Sequence, residues 1–281
     1  MADEKEQILY SIYDSIKNGK AYITCDDIEE AIQDLKLAEA LSRLNKKQAC
    51  LKKATYKPPR QIQRIPLEAR NQQMEENHNF EIEDGVLIKY SGHSKIVGIP
   101  EEVKIIGARA FRGCDSVEKI LLPRSVTEIG EYAFAYRRNL KSIHLSDNIE
   151  TIGEFAFYDC SALCDVTLPR RLSSIRTGAF KMCSALKAVR IPESVSSIES
   201  FAFCGCKQLG SITLPQRIKV IESNVFADCD NLESINIPYG VTEIKDAAFY
   251  GCSKLKNLKI PGSVSKIGNY VFYGCKNIVK R

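Results

Sequence analysis

The chain has 281 residues, 44% hydrophobic and 27% charged, the balance of a soluble globular protein with material for a substantial core. No apolar run approaches the roughly 18 residues of a membrane span. Residues 1–7 also lack the basic start and apolar centre of a secretory signal. Membrane insertion is therefore excluded and a cytoplasmic location expected, or a surface or secreted one if a leader has been removed. The net charge of +5 does not by itself imply a nucleic-acid partner.

Residues 1–44 read as a helical hairpin. Ile8, Leu9, Ile12, Tyr13 and Ile16 recur at helical spacing, and Asn18-Gly19 supplies a stop. Thr24 with Asp27 approximates a capping box for a second helix, whose apolar positions Ile28, Ala31, Ile32 and Leu35 repeat at three and four. With Gly19 as the sixth position of a calcium loop, the twelfth falls on Cys25 rather than a bidentate glutamate, which argues against an EF-hand. The carboxylates of Asp26, Asp27, Glu29 and Glu30 at the start of the second helix oppose a DNA-reading role. A packing or self-associating hairpin is the remaining reading.

Residues 45–78 read as a basic, proline-containing linker. Over the wider span 43–70, nine cations face one acid, Glu68, and Pro58-Pro59 with Pro66 keeps the latter half extended. A solvated linker is expected. The alternative is a nucleic-acid or acidic-surface contact through Lys46, Lys47, Lys52, Lys53, Lys57, Arg60 and Arg64, although aromatic interleaving is limited to Tyr56.

Residues 79–100 announce a different architecture. Phe80, Ile82, Val86, Leu87, Ile88 and Tyr90, turning at Asp84-Gly85, predict a β-hairpin that caps the coils C-terminal to it, and Ile96-Val97-Gly98-Ile99-Pro100 predicts a first strand.

From residue 101 to 281 a phrase of the form I-G-x-x-A-F recurs. Phe111, Phe134, Phe157, Phe180, Phe203, Phe226, Phe249 and Phe272 fall at a constant step of 23 residues. Such a period predicts a solenoid in which each coil buries its apolar face against its neighbours. Within a coil, Leu163-Cys164-Asp165-Val166-Thr167-Leu168-Pro169 alternates as a short strand with Val166 and Leu168 inward. Proline closes most such strands. The return half, as in Ile175, Ala179 and Phe180, is spaced like one inward face of a short helical turn or irregular segment.

Eleven cysteines are present, and Cys114, Cys160, Cys183, Cys206, Cys229, Cys252 and Cys275 each sit three residues after a repeat phenylalanine. They are expected to stack as a ladder of small buried hydrophobes. Rungs about 4.8 Å apart lie within disulfide reach, so spacing leaves thiols and disulfides both open. The missing signal favours thiols. One cysteine per coil does not suit zinc.

The strand pattern places outward residues in two rows. One comprises Leu121, His144, Thr167, Arg190, Thr213, Asn236 and Lys259; the other comprises Lys119, Ser142, Asp165, Ala188, Ser211, Ser234 and Asn257. These side chains are free to vary without disturbing the core, and partner contacts are expected there. Coil two breaks the pattern twice, with Arg137 at the cysteine position and Ser146 at the proline position. No serine, histidine and acid set shows nucleophile spacing, and three histidines do not suggest a metal site.

The phrase L-x-x-I-x-L-P-x-x-V-x-x-I-G-x-x-A-F-x-x-C, preceded by I-E-D-G-V-L-I-K-Y, resembles the BspA-type (Treponema pallidum-type) leucine-rich repeat family over about residues 80–281. The resemblance implies a right-handed coil with a parallel β-sheet on its concave face, no catalytic residues and no cofactor. It also implies protein-binding or adhesive roles, mostly on microbial surfaces. The expected function is a non-enzymatic module that binds a protein, or alternatively a glycan, on the concave face, with the N-terminal helices for attachment or self-association; a surface adhesin is the alternative. The unit opened by Phe272 stops at Arg281, and its bare edge is expected to fray or to pair with another chain.

Overall fold

The computed structural model describes residues 79–256 and 258–275. The expected helical hairpin (1–44), the basic linker (45–78), Asn257 and residues 276–281 lie outside the described residues.

The described chain opens on the predicted hairpin. Strand Phe80–Glu83 pairs antiparallel with Val86–Tyr90. Asp84 and Gly85 join them with φ of 48° and 78°, the two positive values that a tight type I′ connection requires. The second strand then becomes the first rung of a parallel ladder, Val86 pairing with Ile105 and Leu87 with Ile106. Leu87 and Tyr90 are buried by this arrangement. The hairpin therefore covers the core face that the first coil would otherwise expose.

Each coil contributes two short strands. The predicted three-residue strands form parallel ladders 23 residues out of step, in which Ile120 pairs with Ile143, Ile143 with Val166, Val189 with Ile212 and Ile212 with Ile235. The middle residue of each points into the core. A second set of parallel rungs is only two residues long and pairs Ile106 with Ile129, Ile129 with Ile152, Ile175 with Ile198 and Ile221 with Ile244. The isoleucine of the repeat phrase thus belongs to a strand, where its spacing from the alanine and phenylalanine suggested a short helical turn or irregular segment.

The stretch between that isoleucine and the cysteine is neither helix nor strand. In coil two the amides of Tyr132, Phe134 and Tyr136 donate to the carbonyls of Glu154, Ala156 and Tyr158 in the next coil, at 3.0, 2.9 and 2.6 Å. The intervening amides of Ala133 and Ala135 donate back to Gly130 and Tyr132. This alternation depends on left-handed residues two before and two after each phenylalanine, such as Tyr132 (φ 54°) and Tyr136 (φ 64°). A helix would aim every amide along its own turn; alternating handedness aims every second one along the solenoid. Each non-glycine in that conformation costs roughly 1–2 kcal/mol, which the bonds between coils offset.

Two further ladders run through the core. Phenylalanine rings from Phe111 to Phe272 follow one another with centroids 5.0–5.9 Å apart. Tyr90 and Phe80 extend the series through the cap, at 5.3 and 4.9 Å. The cysteines line up as predicted, with a function beyond filling space. The thiols of Cys160, Cys183, Cys206, Cys229 and Cys252 each donate to the phenylalanine carbonyl of the preceding coil, at 3.1–3.3 Å. That carbonyl also accepts an amide from its own coil, as Phe180 does from Cys183. Both of its lone pairs are thereby used in a place water does not reach.

The nine described cysteines are free thiols. Burial pushes the Cys160 thiol up to about 12, and those of Cys183, Cys206 and Cys229 well above the ordinary 9.0. The unfolded chain would release these protons near pH 9, whereas the folded chain holds them. Stability is therefore expected to be unaffected by these groups below pH 9 and to fall as pH rises above it, by about 1.4 kcal/mol per pH unit for each thiol. Urea unfolding of intact protein and of a Cys183→Ala/Cys206→Ala variant from pH 8 to about 10.5 checks this. The variant is expected to lose stability less steeply, and equal slopes would contradict the assignment.

Candidate functional site: the exposed strand face

The rows expected from sequence are present as registered neighbours. Leu121, His144 and Thr167 are paired in succession, as are Arg190, Thr213 and Asn236. All six are exposed, and so is Lys259 one coil further on. In the second row Lys119 and Ser142 are half-buried, while Asp165, Ala188, Ser211 and Ser234 are exposed. Between the rows, Val166, Val189, Ile212 and Ile235 are 3–8% exposed. The face therefore carries side chains at the interval of adjacent strands, about 4.8 Å, on a backbone whose inward half is fully packed. It is cationic at Arg190 and Lys259, acidic at Asp165, and small and polar through most of its centre.

The border of this face is tied coil to coil by ion pairs at the same 23-residue step. Glu118 lies between Lys95 and Lys141, at 3.0 and 2.6 Å, and the hydrogen bond from Lys141, with that from Lys95, holds its carboxyl below the usual range. Asp147 accepts from Arg170 Nε at 2.7 Å and from the Arg170 amide at 3.0 Å, which lowers its carboxyl likewise. Exposed pairs of this kind contribute little to stability; their effect is to fix side-chain positions along the edge.

The irregular second coil keeps the regular backbone. The Ser146 carbonyl accepts the Ile149 amide at 3.1 Å, as the Pro169 carbonyl accepts that of Leu172. Arg137 is only 4% exposed; its Nε donates to the Ala135 carbonyl at 3.2 Å, and Nη1 lies 3.0 Å from Asp115 Oδ1. The guanidinium leaves the thiol position and reaches Asp115 at the surface, beside a shallow hollow lined by Asp115, Tyr136, Arg138 and Asn139. Arg138 pairs with Asp159 at 2.7 Å. His144 remains exposed on the strand face.

A second surface was not found from sequence. On the turn edge Tyr132 stacks on Phe155 at 5.0 Å, and Tyr158 contacts Tyr136 and Phe155 at 5.0 and 5.9 Å. The Lys181 ammonium lies 4.8 Å from the Phe201 ring centre, and Arg109 lies 5.4 Å from that of Tyr132. The signal was available: these residues occupy the positions two before, one after or two after a repeat phenylalanine. Most of these rings are consumed by packing on one another, and only Tyr136 is well exposed, at 49%.

Among the described residues no group of three or more His, Cys, Asp or Glu is arranged to hold a metal ion, and no helix is long and apolar enough to cross a membrane. Parallel rungs at a 23-residue step, an inward Leu-Ile-Leu set and a free strand face define a leucine-rich-repeat solenoid. More narrowly, residues 87–192 and 174–280 match the BspA type leucine rich repeat region, in six copies, and the chain belongs to that family. Repeats of this family are typically binding modules.

Two solved structures resemble much of the chain. A leucine-rich repeat protein of Treponema pallidum is 33% identical with a TM-score of 0.59, over 61% of this chain and 83% of that one. A leucine-rich repeat protein of Bacteroides ovatus is 32% identical with a TM-score of 0.66, over 71% of this chain. The match spans 55% of the B. ovatus chain. No curated protein shows significant similarity.

Proposed function

We propose that the protein is a binding module that engages a protein partner through the strand face, with the segment before residue 79 attaching it elsewhere. The observation that supports this most is the register of exposed residues. Arg190, Thr213 and Asn236 stand on consecutive rungs above a core that their substitution does not touch. A rigid face loses little conformational entropy on binding. The border ion pairs add to that rigidity.

The test is affinity capture with intact protein beside an Arg190→Ala/Asn236→Ala/Lys259→Ala variant. Thermal stability is expected to stay within a few degrees, because all three side chains are exposed. The captured partner is expected to bind the variant at least about tenfold more weakly, since each good interface contact contributes on the order of 1 kcal/mol or more. Identical partners and affinities would remove this face from consideration.

A further inference from the structure

Coil two departs from the repeat at adjacent positions, and the departures meet at one place on the turn edge. Tyr136 stands, with φ of 64°, where Gly113, Gly205, Gly251 and Gly274 stand in other coils. Arg137 takes the place of the ladder thiol, and Arg138 follows where Ser161, Ser184 and Ser253 stand elsewhere. A tyrosine in the left-handed region is strained, and a guanidinium in place of a thiol brings a charge into the core. Rules of the repeat broken side by side, at a cost to folding, mark a place where function is to be sought.

The place is the hollow lined, among the described residues, by Asp115, Tyr136, Arg138 and Asn139. Tyr158 meets the Tyr136 ring edge-on at 5.0 Å and 74°, yet that ring stays 49% exposed. Arg138 spends Nε and Nη2 on Asp159, at 2.8 and 2.7 Å, and keeps Nη1 as a donor. Asn139 Nδ2 donates to the Asp115 carbonyl at 2.8 Å, which leaves Oδ1 to accept. Under Asp115 lies Arg137. Its Nη1 is 3.0 Å from Asp115 Oδ1 but poorly aligned, so this buried nitrogen makes no hydrogen bond to any described residue. A buried donor left unused is costly. The Asp115 side chain is 81% exposed and free to turn.

We propose that this hollow is a carbohydrate subsite that takes one neutral pyranose of a glycan. A sugar hydroxyl donates and accepts at once, and the hollow sets acceptors, Asp115 and Asn139, beside a donor, Arg138. The C–H face of the pyranose lies on the Tyr136 ring, whose π face is negative. When Asp115 turns outward to accept from a hydroxyl, Arg137 Nη1 opens to a second sugar oxygen and gains the bond it lacks. A phosphate or carboxylate fits less well, because Asp115 stands in the hollow and each arginine already has an acid beside it. The hollow precedes the strand that begins at Ser142, so this subsite is separate from the rows of the strand face.

The experiment is saturation-transfer NMR on the intact 281-residue chain. The probes are the methyl glycosides of glucose, galactose, mannose and N-acetylglucosamine at millimolar concentration, with inorganic phosphate as competitor. At least one glycoside is expected to take up saturation, most strongly at its ring C–H protons, and phosphate is expected not to displace it. Two variants make the coil more regular. Tyr136→Gly installs the residue of four other coils. Asp115→Ser/Arg137→Cys removes the carboxylate and the guanidinium and places a thiol to donate to the Phe111 carbonyl, as Cys160 does to that of Phe134. Both are expected to unfold no lower than the intact protein and to bind the glycoside at least about tenfold more weakly, the loss of one ring stack or charged hydrogen bond. Absence of transfer to all four glycosides would overturn the proposal. So would undiminished transfer in either variant, or displacement of the glycoside by phosphate.

Discussion

Replacing Phe180 with alanine is expected to cost about 4 kcal/mol of stability, the middle of the range for a fully buried phenylalanine. Its ring is 0% exposed and lies 5.2 Å from Phe157 and 5.6 Å from Phe203, at 2° and 7° to their planes. The substitution removes the ring's own burial and opens a cavity between two coils that are each held at a fixed rise by their hydrogen bonds. Those coils cannot close the gap without breaking the amide ladder at Phe180 and Ala202, bonded at 2.9 Å. The carbonyl of residue 180 keeps its partners, the Cys183 amide and the Cys206 thiol, so the loss reports on the side chain alone. Urea unfolding should show one transition, shifted to lower urea with an unchanged slope. Phe272→Ala provides the comparison: that ring is half-buried with one ring neighbour at 5.8 Å, and about 2 kcal/mol or less is expected.

Much of this architecture was legible because a constant step constrains every coil at once. The outward rows follow from the alternation around Val166, Val189 and Ile212, where a shift of one residue would bury Thr167 or Arg190 and expose the core. Asp84-Gly85 announced its hairpin through the two residues best able to take positive φ. The second set of strands was not legible, since two residues such as Ser174–Ile175 are too short to display a period of two. The amide ladder was hidden for a different reason. Its left-handed positions are filled by Tyr132, Phe155, Met182 and Phe201 as well as by glycine, and only the glycines, Gly113, Gly178, Gly205, Gly251 and Gly274, mark it. Reading those glycines in step with one another would have separated this turn from a helix. The positions of the thiols were legible but their bonds were not, because hydrogen bonding through sulfur leaves no trace in a pattern of hydrophobicity.

The strand face itself was legible as geometry, down to which residues share a row. Its partner was not, because small polar residues such as Ser211, Thr213 and Ser234 serve solvation and recognition equally well. Arg137 shows the limit from the other side. Its departure from the cysteine pattern was visible, but its route to Asp115 depends on which coil lies next to it and how far a guanidinium reaches.

If one 23-residue coil is the unit of both folding and surface, whole coils are removable and parts of coils are not. Excising Lys181 to Phe203 joins Phe180 to Cys204, which occupies the position of Lys181 in the next coil. Every ring, thiol and amide rung downstream then finds an equivalent partner one coil back. Excising one residue fewer, Lys181 to Ala202, sets Phe203 directly after Phe180 and moves every downstream rung out of step by one. That slip turns inward residues such as Ile212 outward and breaks the amide, thiol and ring ladders at the junction together. The cost is expected to exceed that of the whole excision by at least about 3 kcal/mol, comparable to losing a buried side chain and several hydrogen bonds. Thermal and urea unfolding of the two shortened chains beside the intact one decides the matter. The 23-residue excision should retain a single cooperative transition only modestly below that of the intact protein, with the 22-residue excision far below it or unfolded. Equal stability of the two, or collapse of the 23-residue excision, would contradict the coil as the unit on which core and binding face are built.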